Sequence, residues 1–223
     1  MTETPVKSDV KKPRGGGRKT AKALREKSGG LSTRDFILEE ATRLFAKEGY
    51  DRVTVRDISA ATSMSMPTLY HHFGDKENLY REVEAKCYGA LKDRLLTALE
   101  SQGESEDRLR AFVSEMYVIL LKDTNFLSIA IRNMLDPSVV NHKFLVDLSM
   151  REVYRRFADL LNEIRPGSGN GLAPMIIMSG ILGFVLMNPA KRQLTDYPYR
   201  RNTDLNRERE AFVDYAVGAV LRV

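Results

Sequence analysis

A chain of 223 residues with 43% hydrophobic and 29% charged side chains has an ordinary globular balance and ample material for a core. A single cysteine, Cys87, excludes an intrachain disulfide, and no group of Cys and His has metal-ligand spacing, so no metal centre and no cofactor is expected. The formal charge of +5 is unevenly placed: residues 1–30 carry nine Lys/Arg against three acidic side chains, whereas residues 31–223 sum to −1.

The basic leader, 1–30, contains Gly15, Gly16, Gly17, Gly29 and Gly30 and almost no large apolar side chain. It buries too little surface to offset its ordering entropy and is expected to be disordered in the free protein. The first apolar run begins only at Phe36, after a leader with no hydrophobic signal core, so a cytoplasmic, reducing compartment is the default expectation. The leader has two readings. One is a solubilising tail; the other is an arm that follows phosphates or enters a minor groove. Lys11-Lys12-Pro13-Arg14-Gly15-Gly16-Gly17-Arg18-Lys19 loosely resembles an AT-hook without its compact Arg-Gly-Arg core, and Arg14 and Arg18 are the candidate contacts.

Ser32 with Asp35 three positions on opens a helix that ends near Glu48, with Ile37, Ala41, Leu44 and Phe45 on one stripe and Gly49 as the stop. Thr54 and Asp57 form a capping-box pattern that starts a helix at Val55, and Ser65 followed by Pro67 starts another. Two helix starts eleven residues apart leave room only for helix, turn, helix over 54–73, a unit that lays its second helix in the DNA major groove. Ile58, Met64, Leu69 and Phe73 should pack this unit on the first helix. Asp75 then caps a long fourth helix, with Leu79, Val83, Cys87, Ala90, Leu91 and Ala98 on one stripe. Cys87 reads as a small buried apolar residue and not as a reactive thiol.

Beyond it, 105–122, 125–135, 143–165, 173–188 and 205–222 read as helices. Breaks fall at Asp136-Pro137, at 166–171 and at Asn188-Pro189. No β-hairpin signal occurs. The stretch 173–187 has Ser179 as its only polar side chain; it is too short to read as a membrane span and reads as buried on every side. Gly180 and Gly183 allow close approach of a neighbouring helix, expected to be the last one through Phe212, Val213, Ala216, Val217 and Val220.

From Arg34 to Tyr80 the chain carries Ile-Leu-x-x-Ala-x-x-Leu-Phe, Glu-Gly-Tyr, Thr-Val-Arg-Asp-Ile-Ser and Thr-Leu-Tyr-His-His-Phe followed by Asp-Lys-Glu-Asn-Leu. In this order and spacing it resembles the N-terminal domain of the tetracycline-repressor (TetR) family, over roughly 31–91. The resemblance implies an all-α homodimer: a three-helix helix-turn-helix DNA-binding domain at 31–91, a connecting fourth helix, and a helical effector-binding and dimerisation domain over 92–223. It implies double-stranded operator DNA as partner and a small effector, without a membrane. It assigns the hydroxyls of Thr54 and Thr68, the Tyr70 phenol and Lys76 to phosphates, and places Arg56, Ser65, Met66, Pro67 and His71 among bases or backbone. It implies a four-helix dimer interface around Gly180, Gly183, Phe184, Phe212, Ala216 and Val217. Two departures stand out. Ser63 replaces a frequent turn glycine, and Met66-Pro67 replaces a frequent polar residue and glycine. Met66 can touch a thymine methyl but cannot give bidentate readout of guanine, which tilts preference toward A·T-rich or shape-read operators. His71 and His72 read as one phosphate contact and one packing residue, in preference to a metal site.

Residues 31–91 have eight Lys/Arg against ten Asp/Glu, so affinity for DNA must come from a few placed groups and the arm. Between Met116 and Phe184 the chain is rich in Met, Phe, Tyr and Ile. Singly, such residues fill a core; together, Met116, Tyr117, Phe126, Met134, Phe144, Tyr154, Phe157 and Met178, with Ile129 and Met175, suggest an adaptable apolar pocket. Arg132, Asp136, His142 and Lys143 are the candidate polar anchors for a hydrophobic or aromatic effector. The leading function is a ligand-responsive transcriptional regulator, most often a repressor in this family; the alternative is an architectural DNA binder that uses the arm without an effector. No phosphate loop, nucleophile with a base, or metal spacing supports an enzyme. Deleting residues 1–30 is expected to weaken operator binding and flatten the plot of log K against log salt, because fewer counterions are released; an unchanged slope would refute the arm.

Overall fold

Local hydrogen bonds start each of the first four helices. The Ser32 hydroxyl accepts the Asp35 N–H at 3.1 Å and opens α1 (Thr33–Glu48), which Gly49 ends at φ 87°. At Thr54 both halves of the capping box form, opening α2 (Val55–Thr62). The Ser65 hydroxyl caps α3 (Met66–Phe73), and Asp75 caps α4 (Lys76–Leu99) by accepting the Asn78 N–H at 2.7 Å. Each cap contributes on the order of 1 kcal/mol. The computed structural model describes residues 29–135 and 142–222, and these are all-α. Arg14, Arg18 and the Asp136-Pro137 break lie outside them. No helix among the described residues is long and apolar enough to cross a membrane.

A first core gathers Ile37, Ala41, Phe45, Ile58, Leu69 and Phe73 with Leu79 and Val83 of α4, and Met64 packs at its edge. The remaining elements are α5 (Ser105–Lys122), α6 (Thr124–Leu135), α7 (His142–Leu145), α8 (Arg151–Ile164), α9 (Ala173–Leu186), α10 (Asn188–Lys191) and α11 (Leu205–Arg222). Helix α5 is the axis of the second core: α4, α8, α9 and α11 all pack on it. That core includes Leu95, Leu109, Phe112, Phe157, Leu161 and Ile181, with the Phe112 and Phe157 rings stacked at 4.2 Å.

Three expectations need correction. Helix α4 does not bury one narrow stripe: Ala90 is exposed, while Tyr80, Glu84 and Tyr88 are buried, because α4 is covered by α1 at one end and by α5 and α8 at the other. Cys87 sits between the two cores, and burial pushes its thiol up to about 11. The helix read over 143–165 is interrupted by a π-helical stretch, Val146–Met150, that joins α7 to α8. The break read at Asn188-Pro189 is present: α9 ends at Leu186, and Pro189 sits in the first turn of the separate α10, where its missing N–H costs nothing. Finally, α9 is not buried on every side of a single chain. Met178, Ile181 and Val185 face inward, but Ile176 is 62% exposed, and Tyr215 on neighbouring α11 is 80% exposed.

The short α10 is tied to α11 by a buried ion pair, Lys191 Nζ to Glu208 Oε1 at 2.6 Å, with the Phe184 ring 3.5 Å from the ammonium. Tyr197 donates its hydroxyl to the same carboxylate oxygen. Burial alone would raise the Glu208 carboxyl, but hydrogen bonds from Lys191 and Tyr197 outweigh it and hold it below the usual carboxylate range.

The turn between α2 and α3 runs through Ser63 at φ 54°, ψ 30°, a left-handed conformation that an L side chain adopts at a cost. Ser63→Gly is expected to stabilise the chain by about 0.5–1 kcal/mol in urea unfolding, the gain being partly offset by the freer unfolded glycine. A loss of stability would show that the Ser63 side chain contributes more than its strain costs.

Candidate nucleic-acid interface and internal cavity

Helix α3 buries only Leu69 and Phe73 in the first core, and this sets its other side outward. Ser65, Pro67, Tyr70 and His71 are exposed there, and Met66 and Thr68 are half-buried. The Ser65 and Thr68 hydroxyls lie 2.8 Å apart, and Ser65 also accepts the Thr68 N–H. With Ser65 donating to Thr68, the Thr68 proton is left to point outward, the arrangement a phosphate oxygen accepts. Thr54 differs: its hydroxyl donates to Asp57 Oδ2 at 2.7 Å and its N–H to the same oxygen at 2.8 Å. Its donors are committed to the cap, so a phosphate there must displace Asp57 or be met by the exposed Arg56. Lys76, at the first turn of α4, rests its ammonium 4.0 Å from the centre of the Tyr50 ring, which orients the cation without neutralising it. The His71 and His72 rings are 5.5 Å apart, and no metal-holding group of side chains occurs among the described residues.

The second core forms a partly open cavity of about 320 Å³. Met116, Phe126, Met134 and Met178 line it, with Met175, as does Met150. Five of the nine methionines therefore face this one space. The other candidates lie elsewhere. Phe157 is stacked on Phe112, Tyr117 packs toward Phe212, and Phe144 and Tyr154 do not reach the wall. Ile129 belongs to the first core. Among the expected polar anchors, Arg132 turns away to donate to the carbonyls of Ala46 and Lys47 at the C-terminus of α1, at 3.3 and 2.9 Å. Lys143 is exposed, Asp136 lies outside the described residues, and the His142 side chain is not described. The polar groups at the wall are instead Lys92, paired with Glu152 at 2.6 Å, and the hydroxyls of Ser149 and Ser179, each donating to its own helix. Sequence reasoning missed Tyr88, Leu95 and Leu182 here, since nothing in a helical stripe tells which core a residue faces.

An apolar groove of about 460 Å³ runs between α9 and α11, lined among others by Ile176, Gly180, Phe184, Phe212 and Ala216. Gly183 is exposed beside it, and a Cβ built at Gly180 or Gly183 meets nothing within 4 Å. Val217, expected at the same surface, is instead fully buried in the second core.

A capped pair of short helices that projects one polar face, packed on a first core and joined through α4 to a second helical core, defines a helix-turn-helix protein. Residues 37–83 match the family described as bacterial regulatory proteins, tetR family, so this stretch is similar to the helix-turn-helix domain of that family. Over 49 residues it is 51% identical to the HTH-type transcriptional repressor AcnR of Corynebacterium glutamicum, covering 22% of this chain and 26% of that protein. Over 63 residues it is 36% identical to the icaADBC negative transcriptional regulator IcaR of Staphylococcus epidermidis, covering 28% of this chain and 34% of that one. The chain thus spans roughly a quarter to a third of the length of these curated relatives. The fold is shared over most of the chain with solved structures. The ketosteroid transcriptional regulator KstR2 of Mycobacterium tuberculosis aligns with a TM-score of 0.63 at 21% identity, over 84% of this chain and 94% of that one. A TetR-family regulator from Streptomyces coelicolor aligns with a TM-score of 0.67 at 19% identity, over 94% and 96%.

Between the two cores lies a buried carboxyl. Glu84 is 3% exposed, and burial pushes it up to about 7, opposed by a 2.8 Å hydrogen bond from Asn133 Nδ2 and by the charge of Arg81. The folded chain therefore holds a proton that the unfolded chain, with a value of 4.5, releases first. Stability contributed by this group is present below the unfolded value and is lost as pH rises through the folded one. Wild type should lose up to about 3 kcal/mol relative to Glu84→Gln as pH rises from about 5 to about 8. Urea unfolding at stepped pH reads this, and parallel pH profiles for the two proteins would refute it.

Proposed function

We propose that the protein is a DNA-binding transcriptional regulator of the repressor type, which acts as a homodimer and leaves its operator when a hydrophobic or aromatic small molecule fills the internal cavity. The observation that carries this reading is that one helix, α4, serves both sites: it begins beside α3 with Lys76 and forms cavity wall with Tyr88 and Leu95. The names of AcnR and IcaR as a repressor and a negative regulator support repression.

Dimerisation is supported by the apolar groove and exposed outer faces of α9 and α11. A second copy that places the same pair of helices against them forms a four-helix interface and covers Ile176 and Tyr215. A two-fold dimer presents its α3 helices about 34 Å apart or a multiple of it, so the operator is pseudo-palindromic. The DNA contacts are Thr68, Tyr70, Lys76, Arg56, Ser65 and His71, with Met66 and Pro67 in apolar contact. The effector acts if it favours the state in which the two α3 helices are misplaced, a coupling of about 1–3 kcal/mol.

Two measurements test this. A footprint on the DNA flanking the gene should protect one short palindrome; even coverage without sequence preference would favour the architectural reading. Sedimentation at micromolar concentration should give a dimer, and Gly183→Glu, which sets a charge on the apolar face, should give a folded monomer with at least about tenfold weaker operator binding. Wild type that sediments as a monomer would refute the dimer.

A further inference from the structure

Helix α6 has two working faces. Phe126, Ala130 and Met134, four residues apart, line the internal cavity. On the other side, Ile129 is fully buried in the first core, Arg132 is seated on the last carbonyls of α1, and Asn133 is 3% exposed against α4. The Asn133 carboxamide uses both ends: its Oδ1 accepts the Tyr80 hydroxyl at 2.7 Å and its Nδ2 donates to Glu84 at 2.8 Å. Tyr80, Glu84 and Tyr88 form a single stripe of α4 at four-residue spacing. At one end of this stripe Tyr88 lines the cavity and meets Phe126 edge-on at 5.3 Å. At the other, the Tyr80 ring packs at 4.9 Å on both Phe45 and Tyr50, and Tyr50 carries the ammonium of Lys76.

We infer that Asn133 is the positioning residue through which occupancy of the cavity is transmitted to the DNA-binding unit. The inference rests on the cavity being an effector site, as proposed above. A guest that presses on Phe126, Ala130 and Met134 shifts α6 as a rigid body, and Asn133 and Arg132 move with it. Buried polar partners tolerate little stretching, since a donor or acceptor left dry and unpaired is costly. The joint is therefore either closed, with Tyr80 and Glu84 satisfied by Asn133, or opened and hydrated. A polar hollow of about 340 Å³ bordered by Glu48, Tyr50, Tyr80, Arg132 and Asn133 gives water a way in. Opening frees the end of α1 and the Tyr50–Lys76 pair together, and both adjoin the DNA-facing surface. Asn133 itself touches neither the cavity nor the exposed face of α3.

The test uses the full chain and N-phenyl-1-naphthylamine as an apolar probe, with hydrogen exchange read at residues 44–52 and at the cavity segments of α5 and α8. In wild type the probe should change exchange at 44–52 by about threefold or more. Asn133→Ala and the milder Tyr80→Phe should still bind the probe and still respond in α5 and α8, but the response at 44–52 should vanish. Tyr80→Phe carries the test if Asn133→Ala fails to fold. A response at 44–52 that survives in the folded variants, or one absent from wild type while α5 and α8 respond, overturns the inference. A wild type that does not bind the probe overturns the effector site and the inference with it. Transmission to 44–52 that leaves operator affinity unchanged supports Asn133 as the relay and overturns the regulatory reading instead.

Discussion

The structure depends on α4 and α6 belonging to two hydrophobic cores at once. Leu79 and Val83 of α4 complete the core under the helix-turn-helix, while Tyr88, Leu95 and Leu99 of the same helix complete the core around the cavity. Helix α6 repeats the arrangement on a smaller scale, with Ile129 in one core and Phe126 and Ala130 in the other. Full burial of one such side chain is worth roughly 2 kcal/mol, so neither helix leaves either core cheaply. Cores are close-packed and resist gradual deformation, so helices shared by two cores move as units when they move at all.

Electrostatics at the DNA-facing surface is sparse and local. With more acidic than basic residues in 31–91, no general attraction draws this unit to a polyanion. What it offers is a small set of oriented donors. The hydrogen-bond pattern ranks them: Thr54 is committed to Asp57, whereas the Ser65 and Thr68 pair has a proton to spare and Lys76 keeps its charge over an aromatic face. A cap residue and a phosphate-binding residue draw on the same hydroxyl chemistry, and only the partner geometry separates the two roles.

Helix α9 is a partition. Met175, Met178 and Leu182 look into the cavity, and Ile176, Gly180 and Phe184 line the groove shared with α11. Its almost entirely apolar sequence suits both sides: the proposed reading sets one against a guest and the other against a covering helix pair. Glycines on the outer side match this division. No neighbour in the same chain lies within 4 Å of a Cβ built there, which leaves room for the second copy of the proposed dimer.

Helix boundaries in the first unit were legible in the sequence because a cap is a hydrogen bond between residues three apart: the caps read at Ser32, Thr54, Ser65 and Asp75 all form, on Asp35, Asp57, Thr68 and Asn78. The outward face of α3 followed from the same local pattern, since Leu69 and Phe73 leave only one side to the solvent. Methionine content pointed to the cavity, but only Met116, Phe126, Met134 and Met178 of the eight chosen residues face it. A helical stripe identifies an apolar face without identifying its partner, and in this chain two cores and one cavity compete for such faces. The roles of Tyr80, Glu84, Arg132 and Asn133 were decided by tertiary structure alone. Their partners lie 49 to 86 residues away, and a polar side chain's burial depends on which helices close over it.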